Sequence, residues 1–492
     1  MDSTLHVLAQ DTAVISTISD FLYTYWLIFA LVGTGIYFTL TSKFMQVRHF
    51  GRMWKAIFTN DGHTHGISSF QAFATGMASR VGIGNIVGVA IALSLGGPGA
   101  IFWMWVVAFV GMATGFVEAT LAQVFKVRNP DGSYRGGPAY YIRLGLKSKL
   151  GAIIFACVLV FVYGLAFNMV AANTISDTLN KNHGIHPGIV AVALVVLAAP
   201  VLMRGIKPIA RFSAKFMPYI AGFYVLIALI VLVVNITEVP AIIEMIFEGA
   251  FGLDNAIVGS GAGILAAMLN GTKRGLYSNE AGMGSAPNMA ATASVNHPVK
   301  QGLVQSLGVF MDTMIVCSAT AFMIMASGVY SISDIGQSEV GAALTNDAIV
   351  TTLGGWAVWV TSFVIFSMAF TTLFGNYAYA EVNLAYLGAK NTGIYAFRVL
   401  VLGGIALGAI LKLSTVWDIA DIAMALMATV NLIAIVSLSR WFFGTLKDYE
   451  GRLKSGDLES RFVAQGNPLL PGDVPTDVWT RGAVDHAPEH VE

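Results

Sequence analysis

Glycine and ionisable residues interrupt two long apolar stretches of this sequence, and the interruptions are where chemistry can occur. The first, ATGMASRVGIGNIVGVA at 74–90, holds Gly82, Gly84 and Gly88 with Arg80 and Asn85 beside them. The second, LNGTKRGLYSNEAGMGSAP at 269–287, holds Gly271, Gly275, Gly282, Gly284 and Pro287 with Lys273, Arg274 and Glu280. Each glycine lowers helix propensity by about 1 kcal/mol relative to alanine, so both stretches are expected to be discontinuous helices, the first broken near Gly82. Unwinding frees backbone carbonyls that can coordinate a hard cation, and the N–H groups opening a half-helix favour a carboxylate. Asn85 adds an amide oxygen at the break. Glycines alone would equally serve close helix packing. Close packing does not call for charged neighbours, however, and an ionisable residue inside an apolar segment is a functional candidate by default.

Other buried charges need partners. Glu118 and Asp312 lie in apolar segments and are expected to pair with Arg80, Lys273 or Arg274, although Lys273 and Arg274 could instead snorkel to an interface. Asp418 and Asp421 open the last apolar segment and read as caps facing water, with no transport role. Cys157 and Cys317 sit in apolar runs as small hydrophobes and form no metal cluster. The nine histidines lack zinc-like spacing, and His63 and His65 read as solvated loop residues. No HExxH, GxSxG or Walker A motif supports a membrane enzyme, and no cofactor is implied.

The elements that must position these residues are set by composition. The chain has 492 residues, 56% hydrophobic and 11% charged, with mean hydropathy +0.70, whereas soluble domains carry about 25% charged residues. Its solvent is therefore the lipid bilayer, which leaves helices or a closed barrel. Long apolar runs select helices: an all-α polytopic membrane protein. Formal net charge is zero, so nothing argues for nucleic acid as a partner. Apolar segments fall near 21–41, 67–95, 99–125, 150–176, 188–203, 216–236, 256–295, 301–328, 348–379, 394–411 and 416–439, which makes eleven expected crossings.

The loops after the odd-numbered segments and the C-terminal tail hold 22 of the 28 Lys and Arg residues, Lys181 and Lys412 fall opposite, and Arg80, Lys273, Arg274 and, near the start of the tenth, Arg398 lie within segments. This bias puts the N-terminus outside and the C-terminus in the cytoplasm. The interrupted segments are the second and the seventh, so segments two to six and seven to eleven form a five-plus-five inverted repeat with a midplane site. The expected divisions are an extracytoplasmic N-terminus (1–20), a peripheral helix and cytoplasmic loop (21–66), a first repeat (67–236), an interfacial segment (237–255, with a helix over 240–255), a second repeat (256–440) and a cytoplasmic tail (441–492). The tail shows no apolar helix period and reads as mobile. The first segment, preceded by no basic start, is expected to remain in the mature protein.

Longer motifs carry a resemblance. GGPGAIFWMWVVAFVG at 96–111 resembles the signature of the sodium:alanine (alanine or glycine:cation) symporter family, and RGGPAYYI at 135–142, RGLYSNEAGMGSAPN at 274–288, VFMDTMIVCSAT at 309–320 and VWDIADIAMALM at 416–427 resemble its blocks, the likeness covering roughly residues 20–450. That family resembles the leucine-transporter fold, which implies alternating access around a central amino-acid and sodium site in the cell (inner) membrane. The resemblance implies that Gly82, Ile83, Gly84 and Asn85 bracket the substrate carboxylate. It implies Na⁺ ligation by Ala78, Val81 and Met368 carbonyls and the Thr371 and Thr372 hydroxyls, an oxygen-only set that suits a hard cation. Both threonines could instead simply donate to the preceding turn. Tyr277 is expected over the substrate side chain, or else as packing.

Three positions depart from the family pattern: Ile83, Ala171 and Asn376. They open the pocket to a larger neutral substrate such as glutamine beside alanine or glycine. Asn168 and Asn173 are the polar candidates on segment four, with interhelical hydrogen bonding as the other reading. An ion channel is the remaining class, and counterflow exchange of labelled substrate separates it from a symporter.

Overall fold

The computed structural model describes residues 15–59, 66–130, 132–204, 206–252, 263–331, 335–336 and 341–481. Regular structure within them is helical except for a two-stranded antiparallel hairpin, Val127–Arg128 with Tyr134–Arg135. Helix α1 (Ile15–Thr41) is the added element, lying along α4 (Gly99–Val124). The second segment is a bent pair, α2 (Ser69–Arg80) and α3 (Gly84–Gly96), turned by 50° at the glycines. A capping box starts α2: Ser68 Oγ accepts from Gln71 N at 3.1 Å, and Gln71 Oε1 accepts from Ser68 N at 2.9 Å. Then come α5 (Lys149–His183), α6 (Pro187–Leu202) and α7 (Ile206–Val234), and α8 (Val239–Phe251) turns 78° away from Pro218–Val234.

The second broken helix is α9 (Ile264–Asn279) with α10 (Ala286–Thr292). After it run α11 (Pro298–Ala326), the short α12 (Gly341–Leu353), α13 (Ala357–Tyr386), α14 (Asn391–Ile410), α15 (Leu413–Ser437) and α16 (Ser439–Ser455). Apolar side chains face outward along lipid-side surfaces, as at Ile189, Val192 and Val196 of α6. That is expected where the surrounding medium is hydrocarbon.

Among the described residues, seven helices are long and apolar enough to cross a bilayer alone, and nine if each bent pair counts once, against the eleven expected. The difference has a geometric cause. Helix α6 has 16 residues, about 24 Å at the α-helical rise, short of the roughly 30 Å hydrocarbon core. The halves α9 and α10 are cut short by the break between them. Helix α8 covers most of the expected interfacial helix, and its approach to α4 depends on glycine: a Cβ at Gly99 would lie 2.3 Å from the Gly249 carbonyl carbon.

The tail differs from expectation. Its first part is helix α16, which buries Phe442, Leu446 and Tyr449 on one stripe, and the following stretch buries Phe462, Val478 and Trp479. Trp479 donates its indole N–H to the Gln123 carbonyl at 2.8 Å, and Phe462 N donates to Asn296 O at 2.8 Å. In α16 the anchors follow the helical period, a stripe the sequence reading passed over; beyond it Phe462, Val478 and Trp479 are sparse and irregularly spaced, and no period announces them. Residues 1–14 and the loop histidines His63 and His65 lie outside the described residues.

Candidate functional site

Helix α2 stops because its hydrogen-bond ladder is diverted. Val81 is extended (φ −74°, ψ 91°), and the Gly82 N–H donates to Asn85 Oδ1 at 2.9 Å rather than to Ala78 O, its acceptor in a continuous helix. Helix α13 packs against this gap. A Cβ on Gly82 would lie 2.3 Å from Thr372 Oγ1 and 3.8 Å from Met368 O, so only glycine admits the threonine hydroxyl there. Thr371 and Thr372 each donate to Met368 O at 2.9 Å. That is the backbone tuck such residues favour, yet a hydroxyl that donates keeps lone pairs for a cation. The structure thus brings Thr372 Oγ1 and Met368 O to the Gly82 turn, with Thr371 beside them on α13 and Ala78 and Val81 in the last turn of α2 or just beyond it; oxygen donors of this kind suit Na⁺.

On the other side of the break, a Cβ on Gly84 would lie 3.0 Å from Tyr277 Cδ1 and from Ser278 Cα. Tyr277 sits in an aromatic stack, 4.6 Å from Phe167 and 4.5 Å from Trp417 between ring centroids. Ile83 is buried within the turn. Asn85 is fully committed: its Nδ2 reaches Asp312 Oδ1 at 2.7 Å and Ser278 Oγ at 3.0 Å, while its Oδ1 takes the Gly82 N–H. Its amide therefore braces the break, and any carboxylate contact there falls to backbone N–H groups.

Below the break lies a polar chain. Ser79 Oγ stands 3.0 Å from Glu280 Oε1 and 3.2 Å from Asn376 Oδ1. Asn376 Nδ2 donates to Asn168 Oδ1 at 3.2 Å. Glu280 Oε2 accepts from Ser285 Oγ at 2.6 Å and lies 4.0 Å from Arg80 Nε. Asn168 and Asn376 are brought together; Asn173 instead donates across to Gly408 O at 2.9 Å, the interhelical reading. Ala171 is buried beside them on α5.

Among the described residues, two expected ion pairs are absent. Glu118 has no basic partner there; it accepts from Gly282 N at 3.3 Å, Gly284 N at 3.1 Å and Asn431 Nδ2 at 2.7 Å. These donors belong to the second break, where Glu280, Gly282 and Gly284 all have positive φ and the freed N–H groups need an acceptor. Asp312 likewise meets donors rather than a base: Asn85 Nδ2, Ser278 Oγ at 2.6 Å and Thr313 Oγ1 at 2.9 Å. A buried carboxylate held by several such donors needs no salt bridge, since charge-assisted hydrogen bonds are roughly twice as strong as neutral ones.

The basic residues pair elsewhere. Lys273 Nζ is 2.7 Å from Asp20 Oδ1 of α1 and 3.8 Å from Asp421 Oδ2, and Arg274 Nη2 bonds Asp421 Oδ2. Both bases are buried, so neither snorkels, and Asp421 is a buried ion-pair partner rather than a water-facing cap. Arg274 also lies 4.4 Å above the Trp417 ring, which stacks on Tyr277. Sequence reasoning missed Ser79, Ser278, Phe167, Trp417 and Asp421. Only Asp421 left a signal, an acid one turn beyond Trp417 in an otherwise apolar segment.

Over residues 8–464 the chain matches the sodium:alanine symporter family. It is 41% identical over 445 residues to a probable sodium/glutamine symporter of Bacillus subtilis, covering 90% of this chain and 91% of that one. It is 38% identical over 435 residues to a sodium/alanine symporter of Methanococcus maripaludis, covering 87% and 94%. In three dimensions it is similar to the crystal structure of MhsT in complex with L-phenylalanine, with a TM-score of 0.56 at 14% identity, covering 77% and 90%. That likeness speaks for the fold alone. Sequence match across nearly the whole chain and two broken helices meeting at one site lead to one conclusion: the chain belongs to the sodium:alanine symporter family.

Proposed function

We propose that the protein is a secondary active transporter of the cell membrane that carries alanine, glycine or a similar small neutral amino acid together with Na⁺ by alternating access. The supporting observation is the convergence on one point of the α2–α3 break, the Thr371–Thr372–Met368 oxygens and the Tyr277 ring. In this reading Na⁺ takes the carbonyls of Ala78, Val81 and Met368 and the two threonine hydroxyls. The substrate carboxylate meets the N–H groups of Ile83 and Gly84, while the Gly82 N–H stays on Asn85 Oδ1 and holds that turn open. Tyr277 covers the side chain from above, and the Asn168–Asn376 amide pair borders it from below.

Coupling follows from geometry. Na⁺ bridges the broken helix to α13, so its binding fixes the turn that receives the carboxylate and raises substrate affinity; by linkage the substrate raises Na⁺ affinity equally. Trp417 and the Arg274–Asp421 pair close the site towards the Asp20 face, which the charge bias puts outside. Ser79, Arg80, Glu280 and Ser285 tie α2 to the second break on the opposite face. Release to the cytoplasm must part that second set.

Glutamine is the second reading, favoured by the buried Asn168–Asn376 amide pair, which offers donors and acceptors to a side-chain amide. Purified protein in proteoliposomes should accumulate labelled alanine, glycine or glutamine when an inward Na⁺ gradient is imposed, and the preferred substrate is the one with the highest kcat/KM. Failure of all three to accumulate would sink the substrate class.

A further inference from the structure

Between α1 and α2 runs a short helical segment that the substrate site does not use. No acid occurs between Asp20 and Asp61, whereas Lys43, Arg48, Arg52 and Lys55 fall close together there. Lys43 and Phe44 take left-handed backbone (φ 57° and 55°) at the end of α1, and the chain turns into the helices Met45–Arg48 and Phe50–Phe58.

This segment has two faces. Met53, Ala56 and Ile57 are buried on one, and Phe50 sets its ring 5.0 Å from Phe310 of α11. Arg48 Nη2 and His49 Nε2 lie 2.8 and 3.3 Å from Glu450 Oε1 of α16, and the Phe58 ring stacks on Phe70 in the first turn of α2. The other face is exposed at 43–44, 47–48, 51, 54–55 and 58, the spacing of a continuous helical stripe. Phe44, Val47, Trp54 and Phe58 are its apolar members, and Lys43, Arg48 and Lys55 its bases. Arg48 is taken up by Glu450, whereas among the described residues neither Lys43 nor Lys55 has an acidic partner.

A face turned to water would not gather Trp54 and Phe58, and one turned to hydrocarbon alone would not set Lys55 beside them. Apolar rings and bases along one stripe suit a surface at headgroup level. With no acid in it, the stripe discriminates by charge: bases beside a membrane helix attract anionic headgroups. We propose that the exposed stripe over residues 43–58 is a docking surface for anionic phospholipid. Lys43 and Lys55 meet the headgroup phosphates, and Trp54 and Phe58 enter the boundary between headgroups and acyl chains. Bound lipid thereby holds a segment that touches α2, α11 and α16 together. The proposal needs only the bilayer as the chain's solvent and stands apart from the transport reading.

Tryptophan quenching by brominated lipid tests it. The purified full chain is reconstituted in phosphatidylcholine vesicles containing one mole fraction of either brominated phosphatidylglycerol or brominated phosphatidylcholine, and the signal lost in Trp54→Phe is assigned to Trp54. Brominated phosphatidylglycerol should quench Trp54 about twofold more strongly than brominated phosphatidylcholine, because the bases enrich it locally. That excess should shrink as salt rises, since exposed charges are screened, and vanish when Lys43→Gln and Lys55→Gln are combined. Combining Lys147→Gln with Lys149→Gln makes the same charge change near the start of α5 and should leave the excess intact. Both leaflets carry the quencher, so the result does not depend on which face is cytoplasmic. Equal quenching by the two lipids in wild type overturns the proposal, as does an excess that persists without Lys43 and Lys55. Quenching of Trp54 by neither lipid would also overturn it, turning the stripe to water and to an acidic soluble partner.

Discussion

At the residue scale the decisive contact is Gly82 against Thr372. Adding a methyl group at position 82 puts it 2.3 Å from the Thr372 hydroxyl, inside any allowed separation, so Gly82→Ala should abolish uptake. Thr372→Ala acts differently, removing one oxygen while leaving the turn intact. The Na⁺ concentration for half-maximal uptake should rise roughly tenfold, equivalent to about 1.4 kcal/mol, with a smaller change in substrate KM at saturating Na⁺. Unchanged Na⁺ dependence in flux measurements would remove Thr372 from the site. The residue types here were legible in the sequence because helix packing in an apolar run calls for glycine but not for Asn85 and Arg80 beside it. The partners were not. Asp312 and Glu118 read as halves of salt bridges, because sequence shows charge but not the hydrogen-bond donors, Asn85, Ser278, Asn431 and two glycine N–H groups, that hold them without a base.

At the element scale, the two broken helices are held open by different means. The first relies on its own Asn85, within three residues of the break, and so could be anticipated locally. The second relies on Glu118 of α4 and Asn431 of α15, 164 and 149 residues from Gly282, and no local pattern connects them. Glu118→Gln tests this. One oxygen acceptor is replaced by an NH₂ facing the glycine N–H groups, leaving at least one buried donor unmade at a cost of about 1–3 kcal/mol. The thermal midpoint in detergent should fall, and turnover should fall more than Na⁺ affinity, since the second break carries Glu280 while the α2–α13 oxygens are untouched. A variant with wild-type midpoint and turnover would show that the second break holds itself open. The glycine pattern thus predicted that the second stretch would be discontinuous, but not what would catch the chain beyond α9.

At the scale of the whole molecule, the tail joins elements that the repeat alone would leave separate. His297 caps the start of α11 and meets Asp448 of α16 at 3.3 Å, with its ring 5.1 Å from Tyr449 and 4.9 Å from Phe462. Burial holds the His297 imidazole down, to about 4, and hydrogen bonds from His297, Asn467 and Arg452 hold Asp448 down, to about 2, against its burial. A histidine whose folded-state pKa lies below its free value of about 6.5 contributes stability fully above pH 6.5 and loses it as pH falls towards 4. Asp448 adds its own loss only below its free value of about 3.9. The tail should therefore loosen between pH 6.5 and 4, before its carboxylate titrates. Trp479 reports the event, because it leaves a buried niche beside Gln123 and Phe462: its emission should shift to the red over that window and trypsin should begin to cut at Arg461. Replacing the anchor makes the same point at neutral pH. Trp479→Ala removes a fully buried aromatic side chain, worth about 3–5 kcal/mol, and should expose Arg461 to trypsin at pH 7.5 while the transmembrane helices keep their circular dichroism. Resistance to cleavage in that variant would mean that Phe462 and the α16 stripe suffice to hold the tail, and that His297 rather than Trp479 governs its release.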